Sequence, residues 1–365
     1  MQLSDTLTTS NGHKQKNIKY YTMKSISSIT LALAAFLTAA SSCTTQAGTT
    51  VVSRNMKVDN FTEINLIGSI NVVYATNSTS HIKIEGPDKA LSMLDIRVED
   101  SQLRISCKKE QHGYFWNEDV DIDDVTIYAY SPRADKFTIT GSGDMYVKSD
   151  VSTSGDAEFE ILGSGDMYAP GVKAGNVKAT INGSGDLRLG GITAGSITAT
   201  VNGSGDLAIQ QADASQGLKV SVAGSGDISI SSASSKYASS TVDGSGDLLI
   251  ESLKASSFSG SVNGSGDLEC EYLQADNTAA SLAGSGDITL AGRSSNASYD
   301  VLNSGCIDAA DLIANNVSAS VTGSGTIECT ANVSLKAHAS GSGEICYNGN
   351  PKLSASGKTE NIYKE

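Results

Sequence analysis

One four-residue motif, Gly-Ser-Gly-Asp, recurs along most of the chain and limits the folds that the chain can adopt. Complete copies begin at Gly141, Gly163, Gly183, Gly203, Gly224, Gly244, Gly264 and Gly284. Degenerate copies begin at Asn303, Gly323 and Gly341, so eleven units follow one another at intervals of 18 to 22 residues. A fixed period near 20 residues is typical of a solenoid, in which each repeat packs on its neighbours.

Apolar residues occupy fixed positions around each copy of the motif. The residue four positions after the first glycine is apolar in every unit, and the residue two positions before it is Ile, Val or Leu in the first ten units. Alternation of this kind predicts a strand on each side of a glycine turn, followed by a looser return. We therefore predict an all-β fold, a single-stranded parallel β-helix of about eleven coils spaced about 4.8 Å apart. A leucine-rich repeat has a similar period, but its Leu-x-x-Leu-x-Leu signature is absent.

The remaining sequence divides around this repeat. Residues 1–42 are predicted to be an export signal, with Met23 as an alternative start, and residues 43–54 a tether. Residues 55–140 carry short alternating segments and are predicted to form irregular coils or a β-rich N-terminal cap, which an open β-helix end requires. Residues 141–350 form the predicted β-helix, and the polar residues 351–365 a tail or a partial C-terminal cover.

The leader predicts the compartment. Lys24 precedes an apolar run over residues 26–40 that is too short to span a membrane comfortably. Cys43 follows three small residues, as in a lipobox, so we predict lipidation at Cys43 and attachment to the membrane through that lipid alone. Ordinary cleavage after Ala47 is the alternative. The expected location is the cell envelope, as an outer-membrane lipoprotein at the cell surface or in the periplasm.

Composition excludes several function classes. A net charge of −14 argues against a nucleic-acid partner, because binding phosphates requires clustered Lys and Arg. The four histidines are scattered, and no P-loop, Ser-His-Asp order or zinc signature is present. We therefore predict a protein that is not an enzyme and holds no cofactor. Cys270 and Cys329 occupy the inward column three coils apart and are predicted to be unpaired core residues, whereas Cys346 is predicted to face outward.

These features together resemble a known family. The export signal, the irregular strands and the segments Ile181–Leu187, Val201–Leu207 and Val262–Leu268 are similar to the "putative autotransporter adhesin, head GIN domain" family, which is common in Bacteroidetes. The resemblance covers about residues 55–350. It implies a β-helical envelope protein with an adhesin role and supplies no catalytic residues. A C-terminal membrane barrel is not part of this sequence, so the word autotransporter does not apply literally.

The aspartates of the motif form a predicted column of eight carboxylates. Its members are Asp144, Asp166, Asp186, Asp206, Asp227, Asp247, Asp267 and Asp287. Stacked about 5 Å apart, these charges repel each other by roughly 1 kcal/mol per neighbouring pair in water. One interpretation is a ladder of calcium sites built from carboxylate and turn carbonyl oxygens. The other is structural, with each carboxylate accepting backbone N–H groups at the glycine turn.

Aromatic residues supply the candidate ligand-binding positions. Tyr114, Phe115 and Trp116 lie among acidic residues and could stack on a sugar ring, or pack on the end of the solenoid as part of the cap. Tyr146 and Tyr168 are predicted to form an outward pair on adjacent coils, which suits glycan contact or ordinary packing between coils.

The sequence therefore predicts a non-enzymatic adhesion protein whose partner is a glycan or a surface protein of the envelope or host. A structural envelope scaffold without a discrete ligand is one alternative. A glycan-processing β-helix enzyme is another, although no repeat carries an insertion that could wall an active-site groove.

Overall fold

Strands stack in a parallel solenoid in the computed structural model, which describes residues 51–108 and 124–365. Within these residues there is one short helix, α1 (Asp88–Ser92), and one 3-10 turn, Thr359–Asn361. No helix in the described part of the chain is long and apolar enough to cross a membrane.

Short strands precede the regular repeat and long strands follow. The strands of the N-terminal part are β1 (Val51–Lys57), β2 (Glu63–Gly68), β3 (Asn71–Thr76), β4 (His81–Pro87), β5 (Leu94–Glu99), β6 (Gln102–Cys107) and β7 (Thr126–Ser131). The first coils of the repeat contain β8 (Lys136–Gly141), β9 (Met145–Val147), β10 (Val151–Ser152), β11 (Asp156–Gly163), β12 (Met167–Lys173) and β13 (Asn176–Gly183). The long strands are β14 (Leu187–Gly203), β15 (Leu207–Gly224), β16 (Ile228–Gly244), β17 (Leu248–Gly264), β18 (Leu268–Gly284), β19 (Asp287–Asn303), β20 (Cys306–Gly323) and β21 (Thr326–Gly341). The chain ends with β22 (Glu344–Asn348), β23 (Lys352–Gly357) and β24 (Ile362–Lys364).

Each of the strands β14 to β21 makes one coil and pairs in parallel with the next. This confirms the parallel β-helix of about eleven coils. The looser return expected from the sequence is wrong, because the pairing continues around most of the coil. The pattern of side chains explains where each coil changes direction. The alternation of inward and outward residues is interrupted at two places besides the glycine turn. In β14 the buried residues fall into three runs, namely Leu187 and Leu189, then Ile192 and Ala194, then Ile197, Ala199 and Val201.

Equivalent side chains stack on one another in the core. The register pairs Ile161 with Ile181 and Ile181 with Val201, and all three are fully buried. Cys270 and Cys329 are buried and unpaired as predicted, and burial raises the pKa of the Cys270 thiol to about 12. The outward position predicted for Cys346 does not leave it exposed, because it is buried beside β24, where it pairs with Tyr363.

The N-terminal part begins the solenoid out of chain order. Strands β2 and β3 form a coil, since β2 pairs in parallel with β8 and β3 with β9. The later strands β6 and β7 pair in parallel with the opposite edges of β2 and β3. The coil that comes first in sequence is therefore second in space, and the chain crosses back to continue at β8.

Antiparallel strands and charged residues protect the two ends. At the N-terminal end β1 and β7 both pair with β4, and β5 pairs with β6. Residues 51–54, assigned from sequence to the tether, lie in β1. At the C-terminal end β23 and β24 continue the ladder over residues predicted to be a tail or cover. Lys352, Lys358 and Lys364 lie along this last edge, where lysine discourages pairing with another chain.

The glycine turn sets how closely coils approach. The carbonyl of Gly163 accepts hydrogen bonds from the N–H groups of Ser184 and Gly185 at 2.8 and 3.2 Å, and the same pair of bonds recurs from coil to coil. Gly203 has a φ of +141°, a conformation that disfavours any side chain. A Cβ placed on Gly205 would overlap with the carbonyl oxygen of Gly185. Glycine is therefore favoured at the first position by conformation and by space, although Asn303 fills it at a φ of +98° in one coil, and at the second position by space.

Substitution of Gly205 by alanine should destabilise the fold by about 1–3 kcal/mol, because the added methyl group forces neighbouring coils apart. The measurement is the melting temperature by circular dichroism. Gly191→Ala is the matched control, since among the described residues no atom beyond its own chain neighbours lies within 4 Å of the position of its added Cβ. Equal losses in the two variants would show that close stacking at the turn is not what requires Gly205.

Candidate functional site

The aspartate column is held by hydrogen bonds that run from coil to coil. The backbone N–H of each aspartate donates to the Oδ1 of the preceding one, for example Asp186 to Asp166 at 2.8 Å and Asp247 to Asp227 at 2.8 Å. The distances along the seven bonds from Asp166 to Asp287 are 2.8 to 3.1 Å. The column continues at both ends, because Asp144 donates to Asn71 and Cys306 donates to Asp287.

This pattern gives the carboxylates a structural task. Each carboxylate accepts a backbone N–H of the turn that has no partner in the parallel ladder. This hydrogen bond offsets the repulsion between stacked charges. The sequence pointed to a carboxylate bonded at the glycine turn, and the structure shows that the N–H comes from the next coil. Asn71 fills the same place with an amide oxygen, so a negative charge is not needed for this bond.

The calcium ladder stays a prediction. Within the described residues, no group of three or more His, Cys, Asp or Glu side chains is arranged to hold a metal ion.

Stacking and burial affect the ionisation of the column. Burial raises the pKa of the carboxyl groups of Asp144, Asp206 and Asp227. The N–H that each of them accepts acts in the opposite direction, and the neighbouring aspartates raise the pKa further. Arg188 counteracts the charge near one end through an ion pair with Asp186 at 3.0 Å.

Three half-buried tyrosines lie on the outer side of the first coils, with the buried Val73 between two of them. The predicted pair of Tyr146 and Tyr168 is stacked, with ring centroids 4.9 Å apart and ring planes 12° apart. The register places Val73 next to Tyr146 and Tyr128 next to Val73. We call Tyr128, Val73, Tyr146 and Tyr168 the tyrosine strip, which spans four coils over about 14 Å.

Charged and aromatic side chains border the tyrosine strip. Lys83 lies 5.5 Å from the ring centroid of Tyr128 and forms an ion pair with Glu85 at 2.6 Å. At the other end the register continues from Tyr168 to Arg188. Along β7, Tyr130 stacks on His81 with centroids 4.4 Å apart. The surface thus combines tyrosine rings with charged hydrogen-bonding groups at both ends.

The sequence pointed to part of this surface. Tyr146 and Tyr168 follow from the repeat, because both hold the same position relative to the motif. Tyr128 belongs to no repeat unit and joins them only because β7 stacks on β3. Tyr114, Phe115 and Trp116 lie outside the described residues, as does Cys43, so their predicted roles stay predictions.

Comparison with known proteins identifies related sequences and structures. A family model described as "putative auto-transporter adhesin, head GIN domain" matches residues 60–252 and 238–351. No curated protein matches the chain significantly.

Three crystal structures are similar over most of the chain. One is described as a putative adhesin from Bacteroides fragilis, with 20% identity over 88% of this chain and 96% of that chain and a TM-score of 0.28. A putative lipid binding protein from Parabacteroides distasonis has 22% identity over 86% and 94% of the two chains, with a TM-score of 0.27. A putative adhesin from Parabacteroides merdae has 17% identity over 86% and 93%, with a TM-score of 0.27.

Substitutions of Asp227 should separate the hydrogen bond from the charge. Asp227→Ala should lower the free energy of unfolding by about 1 kcal/mol, because it removes the acceptor of the Asp247 N–H. Asp227→Asn keeps an acceptor oxygen and should be at least as stable as the unsubstituted protein at pH 7. Thermal melts of the three proteins test this, and an Asn variant as unstable as the Ala variant would contradict it.

The same melts at lower pH provide a second check. Because the pKa of Asp227 is raised, the folded protein binds more protons than the unfolded chain above about pH 4, the ordinary range of Asp. The stability contributed by this group is therefore present at low pH and falls as pH rises through the raised pKa. The advantage of Asp227→Asn should grow from pH 4 to pH 7.

We expect the melting temperature to be the same in EDTA and in added Ca²⁺, because one oxygen of each carboxylate in the column already accepts a backbone N–H. A calcium-bound fold would instead gain stability in proportion to the logarithm of the calcium concentration. A rise that saturates with Ca²⁺, but not with Mg²⁺, would establish the column as an ion site.

Proposed function

We propose, since the chain belongs to the family described as "putative auto-transporter adhesin, head GIN domain", that it is a non-enzymatic adhesion protein of the cell envelope with a glycan ligand. The observation that carries this proposal is the tyrosine strip. Tyrosine offers a flat apolar ring together with a hydroxyl group, which suits the apolar face and the hydroxyls of a sugar.

The strip is a rigid platform. Its residues lie on β3, β7, β9 and β12, which are fixed to one another by parallel pairing. A ligand that binds there orders few side chains, since tyrosine has little rotational freedom and two of the rings are already stacked. Lys83 and Arg188 at the two ends supply donors for sugar hydroxyls or carboxylates.

The aspartate column favours a binding role over a catalytic one. Glycosidases use a pair of carboxylates with distinct environments on the two sides of the scissile bond. Here each carboxylate repeats the same backbone hydrogen bond in coil after coil. Such uniform groups support the solenoid and provide no acid and base with separated roles.

An envelope location fits this role. In our proposal the leader exports the chain and Cys43 carries the lipid that anchors it to the outer membrane. The solenoid would then project its outer faces towards glycans or surface proteins of the envelope or of a host.

Removal of the two stacked rings of the strip should weaken recognition of neutral glycans. We expect Tyr146→Ala/Tyr168→Ala to lower the affinity for neutral glycans that the protein binds on a microarray by about five- to 150-fold, because two aromatic contacts worth about 0.5–1.5 kcal/mol each are lost. Tyr272→Ala is the control, since Tyr272 is exposed and lies outside the strip.

Two outcomes would contradict the proposal. One is a microarray on which the unsubstituted protein binds no neutral glycan, and the other is equal binding of neutral glycans by the double variant. Release of reducing or unsaturated sugar ends from a bound glycan would favour the enzymatic alternative.

A further inference from the structure

An open groove runs along the corner at which each coil turns from its second run of inward residues to its third. Its larger part has a volume of about 950 Å³, and an adjoining part of about 380 Å³ extends it towards the N-terminal coils. The two parts share Ser215 and Ser234. From Lys173 to Ile313 the groove crosses eight coils, or about 34 Å.

Small residues create this groove. The last inward position before the corner is alanine or serine in one coil after another, including Ala194, Ala214, Ala255, Ala275 and Ser294. A small side chain there leaves the corner concave. Polar side chains cover much of the rest of the surface, and the residues concerned include Ser215, Ser235, Ser256, Gln274, Ser295 and Asn315.

Charge is distributed unevenly around the groove. The segment from residue 220 to residue 335 contains thirteen acidic residues and only three basic ones, Lys236, Lys254 and Arg293. All three basic residues line the groove, and Asp276 is the one acidic residue of that segment that does so. Lys173 adds a further positive charge at the N-terminal end of the groove, two coils away from Asp213.

These basic groups are available to a ligand. Within residues 51–108 and 124–365, no carboxylate forms an ion pair with Lys236, Lys254 or Arg293. The ammonium of Lys236 lies over the ring of Tyr237, 4.9 Å from its centroid, and is exposed. In contrast, Asp213 already accepts hydrogen bonds from Ser234 and Gln211. The groove thus presents unpaired positive charge on a strongly acidic protein.

We propose that this groove binds an acidic polysaccharide, one chain lying along the solenoid axis. Lys254 and Arg293 are two coils apart, so their charges are spaced about 10 Å along the groove and match a polymer with well-separated carboxylates or sulfates. The serine, glutamine and asparagine side chains between them suit sugar hydroxyls, as donors and acceptors.

Other polyanions fit the groove less well. A nucleic acid carries charge far more densely and gains affinity from aromatic stacking, and none of the described residues that line the groove is aromatic. An extended acidic peptide would gain from pairing with a free strand edge. The strands beneath the groove already pair with coils on both sides. Most of the acidic residues lie outside the groove, and salt screens charges beyond about 8 Å, so they oppose binding only weakly.

Polygalacturonate is a suitable probe, because its fully methyl-esterified form is a neutral polymer with the same backbone. We expect the full protein to bind polygalacturonate in EDTA, to bind the esterified polymer at least tenfold more weakly, and to lose affinity as salt increases. Lys254→Gln/Arg293→Gln should weaken binding of polygalacturonate at least fivefold. Lys219→Gln/Lys336→Gln, which makes the same change in net charge at exposed positions outside the groove, should stay within twofold.

Several results would overturn the proposal. These are no binding of polygalacturonate by the unsubstituted protein, equal losses in the two double variants, or tighter binding of polyglutamate or oligo(dT) than of polygalacturonate. Tyr146→Ala/Tyr168→Ala should bind polygalacturonate normally, because the tyrosine strip lies outside the groove. The experiments therefore distinguish a result that contradicts binding at the groove from one that contradicts binding at the tyrosine strip.

Discussion

Backbone hydrogen bonding between coils about 4.8 Å apart is the constraint on which the rest of the structure depends. At the glycine turn this contact is closest, because one carbonyl receives two N–H groups from the next coil and leaves no room for a Cβ. Tight turns keep neighbouring coils in register, and register places each residue on its equivalent in the next coil. Ladders of like residues follow from that geometry, whether or not the residues attract each other.

The aspartate column shows how the fold accommodates such a ladder. Stacked carboxylates repel, but each receives a backbone N–H from the next coil that would otherwise lack a partner. These hydrogen bonds do not fully offset the cost of burying the charges, since burial still raises the pKa of several of these carboxyl groups. Asn71 makes the same bond without the charge, which indicates that the acceptor oxygen is the essential element.

Ligand recognition, as we propose it, uses positions that the ladders leave free to vary. In the tyrosine strip, apolar rings occupy an outward column where later coils carry Arg188 and then Ala208. In the groove, a small inward residue recurs while the outward residues differ, and four of the lining residues are basic. Both surfaces lie on paired strands, so both are rigid before a ligand arrives.

The sequence by itself determined the coil period, the inward columns, the glycine turn and the unpaired core cysteines, because each depends on residues close in sequence and repeated many times. It also placed Tyr146 on Tyr168, since both hold one position in the repeat. Tertiary structure alone brought Tyr128 to the strip, because β6 and β7 stack on the far side of a coil formed earlier in the chain. Only the tertiary structure places Lys236, Lys254 and Arg293 along one groove, because the three residues do not share one position relative to the motif. The corner and the shifts of register around it, such as that between Cys270 and Leu273, decide which side chains meet there. The size of such a shift is already present in the sequence, as the interval of 19 residues from Gly284 to Asn303, but its place within the coil is decided by packing around the whole coil.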